Sequence, residues 1–224
     1  MVYAIFILIA LLSYVAQASL KRKFSKFSEE AVAGGMTGRD VALKMMADNG
    51  IYDVEVSCIN GTLTDHYDPT AKRVNLSPDV YGKCSVAAAA VAAHECGHVL
   101  QHATGYAPLR LRSSLVPIVS FSSKIVSWVL LAGILLIQTF PVLMQVGIAL
   151  FALTTLFSIV TLPVEVNASR RALAWLDHAG ITSPRTQRDA ESALRSAAYT
   201  YVVAALSSLA TLMYYILIFM GRRD

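Results

Sequence analysis

Three charge-free runs interrupt an otherwise polar chain: residues 1–20, 125–164 and 196–221 contain no Asp, Glu, Lys or Arg. A helix needs about 20 predominantly apolar residues to cross the hydrocarbon core of a bilayer. The first and last runs each fit one crossing, and the middle run fits two, hinged at Gln138-Thr139-Phe140-Pro141. The pattern predicts four spans, at roughly 2–19, 117–138, 142–163 and 197–219.

Between the first two spans the pattern shortens. Thr37 can cap a helix over Gly38–Asn49, because Val41, Ala42, Met45 and Met46 recur at helical spacing and Asn49-Gly50 stops it. Val54, Val56 and Cys58 alternate with polar residues and predict a strand, with Asn60-Gly61 as a turn. The stretches Leu63–Tyr67 and Arg73–Ser77 flank Asp68-Pro69-Thr70-Ala71-Lys72, a hairpin with a five-residue loop. Within it, Asp65-His66 reads as hairpin architecture rather than as a second metal site. Ser85 is a plausible N-cap for a helix of high propensity and little bulk, built on Val86, Ala87–Ala90 and Val91–Ala93. It should run from about 85 to 103 and end at Gly105.

Composition agrees with a membrane protein. The 224 residues are 55% hydrophobic and 15% charged, and the mean hydropathy is +0.53. Soluble domains carry nearer a quarter charged residues. Of 19 Lys and Arg, 16 lie in segments 21–112 and 170–195, which four spans would place on one side. The positive-inside rule makes that side cytoplasmic. Arg222-Arg223 at the opposite end is a small conflict with the rule, and Lys124 falls within a span. Lys21-Arg22-Lys23 reads as a topogenic flank, with anionic lipid as a secondary ligand and no nucleic-acid partner. The first span lacks a basic n-region, so a retained anchor is expected in spite of the cleavage-like Ala16-Gln17-Ala18. Cys58, Cys84 and Cys96 are odd in number and form no CxxC pair, so no disulfide framework is expected.

The chemistry lies in the alanine-rich helix, at His94-Glu95-Cys96-Gly97-His98. Side chains four apart share a helix face, so both imidazoles can address one metal ion. Glu95 lies about 100° round the helix, where a general base for a metal-activated water belongs. Burying two histidines and a glutamate in so apolar a helix is costly without a partner, and a metal removes the cost. Between Glu95 and Asp177 the only carboxylate is Glu165, at the end of the third span. A lone acid at a membrane boundary is expensive and usually functional. Glu165 therefore completes a His2Glu zinc site with an open fourth position, one Zn2+ per chain. His102 lies another turn on. Its distance from His94, about 12 Å along the axis, bars the two from one ion. A metzincin third histidine would fall on Thr104, and there is no Asp-Gly ligand pair of the intramembrane type. His102, Asn167, Arg170, Arg171, Tyr199 and Tyr201 are the candidates for supporting the site or an oxyanion, and the sequence does not choose among them.

The HECGH pentapeptide, the preceding LTDHYDPTAKRVNLSPDVYGKCSVAAAAVAA and the downstream EVNASRRAL together resemble the YugP-like family of neutral zinc metallopeptidases. The likeness runs from about residue 34 to the final span. It implies a membrane-embedded gluzincin-type peptidase with His94, His98 and Glu165 as ligands and Glu95 as the catalytic glutamate. Cys96 stands where a bulkier apolar residue is commoner. The expected fold is a mainly α membrane protein with about four spans and a small α+β zincin-like portion on the cytoplasmic side. Its divisions are an anchor (1–20), the zincin-like portion (21–115), two spans (116–163), a helix with the third ligand and a loop (164–196), and a last span (197–224). The expected partners are a protein or peptide substrate and the lipid bilayer, and the oligomeric state stays open. The rivals are a catalytically silent metal-binding scaffold, which would not need Glu95, and a metal-ion transporter, which would carry more ionisable groups in its spans.

Overall fold

The computed structural model describes residues 2–221, so Arg222 and Arg223 lie outside the described residues. Seven helices and three strands follow one another: α1 Val2–Phe27, α2 Gly38–Asp48, β1 Glu55–Cys58, β2 His66–Asp68, β3 Arg73–Leu76, α3 Pro78–Tyr81, α4 Val86–Ala103, α5 Ala107–Leu135, α6 Pro141–His178 and α7 Pro184–Gly221. The chain forms two compact units. Among the described residues, one comprises 16–106 and 164–199, and the other 2–15, 107–163 and 200–221.

The first of these units is built around α4. Residues Ala87–Ala90, Ala92 and Ala93 are all 0–1% exposed. Their short side chains let neighbours approach on every side of the helix. Ser85 caps α4 by accepting from the Ala88 N–H at 3.2 Å. Against α4 lies α2, whose buried face is Val41, Ala42, Met45 and Met46. Thr37 caps α2 in a closed capping box: its hydroxyl donates to Asp40 Oδ2 at 2.6 Å, and the Asp40 N–H donates back at 3.2 Å.

A three-stranded sheet in the order β1-β3-β2 joins them. The hairpin β2–β3 is antiparallel, as its loop predicts, and Asp68 Oδ1 closes the loop by accepting from the Thr70 and Ala71 N–H groups at 2.8 and 3.1 Å. The partner of β1 was not evident from sequence. It pairs in parallel with β3, Glu55 opposite Arg73 and Cys58 opposite Leu76. Asp65 and His66 act within this hairpin. Asp65 Oδ1 accepts from the Ser77 N–H at 2.7 Å, and His66 Nε2 contacts Asn75 Nδ2 at 3.1 Å.

In the other unit, α5 and the first part of α6 approach closely at small residues. A β-carbon on Gly133 would come within 2.8 Å of the Met144 Cα, and one on Gly147 within 2.8 Å of Leu130. Close approach at glycine is how helices associate in lipid, where burying leucine against leucine gains little. Among the described residues, three helices, α5, α6 and α7, are long and apolar enough to cross a membrane. Their outward faces carry large apolar side chains, among them Phe121, Trp128, Leu131 and Leu135. Helices α5 and α6 part at residues 136–140, at the expected hinge. The helices also outrun the predicted spans. Helix α5 starts at Ala107 rather than 117, and α6 continues through Pro163 to His178.

Candidate metal centre

Two helices build the site. Helix α4 supplies His94 and His98 one turn apart, and the second half of α6 supplies Glu165. What brings them together is Gly97. A β-carbon there would lie 2.5 Å from the Ala168 carbonyl oxygen, so at this residue the two backbones are almost in contact. Only glycine permits that approach.

His94 Nε2 lies 3.3 Å and His98 Nε2 3.6 Å from the same atom, Glu165 Oε2. One donor atom from each of the three residues falls within 4.8 Å of the others, and the three are candidates to hold a metal ion. The distances can be tested against zinc. Two donors each 2.0–2.1 Å from a tetrahedral Zn2+ stand about 3.3 Å apart. The two separations from Glu165, 3.3 and 3.6 Å, are close to that edge, and two imidazoles with one carboxylate is a donor set zinc accepts. The residues fit the ion.

Each imidazole is held from behind. Ser169 Oγ is 3.1 Å from His94 Nδ1, and Gln101 Oε1 is 3.0 Å from His98 Nδ1. In both rings the δ nitrogen is therefore occupied and the ε nitrogen faces Glu165. Burial alone pushes the His98 imidazole down, but the hydrogen bond with Glu165 and the charges of Glu95 and Glu165 raise it on balance. Glu95 is 8% exposed and has no hydrogen-bond partner among the described residues. Its carboxylate is close enough to His98 to act on its protonation. Cys96 points the other way, into the core, where its thiol lies 3.6 Å from the Ala42 carbonyl. Desolvation raises the thiol far above its ordinary value, so it is an inert filler.

The other sequence candidates are dispersed. Asn167 accepts from Gln101 Nε2 at 3.0 Å and from Arg171 Nε at 2.9 Å, so both Asn167 and Arg171 lie behind the site. Arg170 instead lines a cavity between α6 and α7 with Ser169, Glu191 and Arg195. His102 is exposed, and its ring stands edge-on to Tyr67 at 6.1 Å. Tyr199 is exposed near the end of this unit's part of α7, and Tyr201 belongs to the other unit. Sequence reasoning missed Gln101 and Ser169. Their only signal in the sequence was position: a glutamine one turn after His98 and a serine one turn after Glu165.

The chain is similar to known proteins. The profile of a protein family described as "Putative neutral zinc metallopeptidase" matches residues 2–220. A relative from Bacillus subtilis (strain 168), named "Putative membrane protease YugP", is 42% identical over 213 residues, covering 95% of this chain and 94% of that one. No solved structure matches the chain.

Proposed function

The chain belongs to the neutral zinc metallopeptidase family, and from that premise we propose that it is a membrane-embedded zinc endopeptidase with Glu95 as general base. The observation that carries this reading is the convergence of His94, His98 and Glu165 donor atoms within 4.8 Å, beside a buried glutamate that is bonded to nothing else.

The chain's own groups divide the work. His94, His98 and Glu165 would hold one zinc ion. Bound there, zinc acidifies a water and polarises a peptide carbonyl. Glu95 takes a proton from the attacking water and returns it to the departing amine nitrogen, so that a C–O bond replaces the peptide C–N bond. Gln101 and Ser169 keep the two imidazoles facing the ion. The guanidinium of Arg171 is engaged by Asn167, which leaves Arg170 the freer cation near α6 to meet a substrate.

The four-span arrangement fits this function. Helix α1 adds a 26-residue helix to the three long apolar ones, and its first run is charge-free. Segments 21–112 and 170–195, which carry His94, Glu95 and His98, would then face the cytoplasm, the side that the excess of Lys and Arg favours. A silent scaffold would have no use for an unbonded Glu95 beside the ligands. The reading predicts a set of protein N-termini that exists in cells with the wild-type chain and is missing from cells with Glu95→Gln, read by N-terminal proteomics. Identical sets would contradict it.

A further inference from the structure

Behind the two ligating helices runs a chain of hydrogen bonds whose direction is determined by its ends. Gln101 is 0% exposed. Its amide nitrogen lies 2.7 Å from the Val164 carbonyl oxygen and 3.0 Å from Asn167 Oδ1. A backbone carbonyl can only accept, so the amide group facing Val164 must be the NH2. At the far end, the guanidinium of Arg171 can only donate, so the Asn167 atom it meets at 2.9 Å must be the oxygen. Both hydrogens of the Gln101 amide are thereby used on α6. The remaining Gln101 atom, Oε1, faces His98 Nδ1 at 3.0 Å and can only accept. His98 must then carry a proton on Nδ1, so that when the ring is neutral its lone pair is on Nε2, the nitrogen 3.6 Å from Glu165.

We infer that Gln101 is a positioning residue of the metal centre: it selects the metal-ready tautomer of His98 and ties that ring to the backbone carbonyl immediately before Glu165. No such selection operates on His94, because the Ser169 hydroxyl can donate or accept. The inference rests on the reading that His94, His98 and Glu165 hold zinc. It goes further in making α4 and α6 one unit, so that the carboxylate and the imidazole keep their mutual distance before any ion arrives. Partners behind ligating histidines change metal affinity by about 10- to 100-fold when removed.

The test uses the full chain in detergent. Gln101→Met keeps the length of the side chain and removes both amide functions. Its zinc dissociation constant, measured by chelator competition, should rise about 10- to 100-fold. In the zinc-free wild type, at a pH where the ring is neutral, 15N spectra of labelled histidine should show His98 as the Nδ1–H form. In Gln101→Met the two tautomers should mix. A His98 found as the Nε2–H form in the wild type overturns the inference without recourse to any variant. So does unchanged zinc affinity in Gln101→Met, or weakened affinity with the tautomer unaltered, which would reduce Gln101 to packing. Glu165→Ala separates this from the parent reading. If that variant retains a full zinc complement, the metal site itself is misassigned. If it loses zinc while Gln101→Met does not, only the role of Gln101 fails.

Discussion

Gly97 carries more of the candidate site than its place inside the His94–His98 motif suggests. Its missing side chain is where the α6 backbone fits, 2.5 Å from the position a β-carbon would take. Gly97→Ala should force α4 and α6 apart and cost about 1–3 kcal/mol, as overpacking does. Because His98 and Glu165 flank that contact, zinc affinity should fall with it. Thermal unfolding and zinc titration of the variant check both, and a variant unchanged in either would show that the helices do not need this approach. The three candidate ligands were legible in sequence, and the fold brings them together. His94 and His98 stand out by spacing, and Glu165 by being the only acid between Glu95 and Asp177. Gln101 and Ser169 were not, because a neutral polar side chain carries no sign of its partner. Their partners lie 63 and 75 residues away. The dispersed fate of His102 has the same root: periodicity gives a helix face, and contacts across helices decide what that face meets.

The elements were legible where a local rule decides them. The cap at Thr37 is one case. Its hydroxyl and then its N–H donate to the Asp40 carboxylate, which holds that carboxyl below its ordinary value. The stabilisation is complete above the ordinary aspartate value and is lost as the pH falls through the lower, folded one. Thr37→Ala should cost about 1 kcal/mol near neutral pH and flatten the acid limb of the stability curve. Equal stability of variant and wild type across that range would mean the capping box contributes nothing. The alanine helix α4 and the β2–β3 hairpin were likewise legible, from propensity and turn chemistry. The parallel pairing of β1 with β3 was not, since its register depends on packing over α2 and α4 rather than on any turn. The continuation of α6 past Pro163 was hidden for a related reason. Proline usually ends a helical pattern, yet α6 runs on, and Val164, Ala168, Ala172 and Leu176 beyond it are all 0% exposed.

For the whole molecule, the distribution of charge and apolar surface argues for work at a membrane. Large apolar side chains such as Trp128 and Leu135 are more than 70% exposed, which a soluble monomer rarely tolerates over so long a surface. Residues 16–106 and 164–199 hold all three candidate zinc donors and Glu95, with Glu165 on the continuation of the long apolar helix α6. The central claim is that this chain hydrolyses peptide bonds with Glu95 as its base. The most direct measurement sets the purified full-length wild type beside Glu95→Gln in detergent, recording zinc content and cleavage of a casein-type substrate on the same samples. The account predicts equal zinc in both and a cleavage rate lower by at least about 100-fold in the variant. Undiminished cleavage by zinc-loaded Glu95→Gln would contradict it.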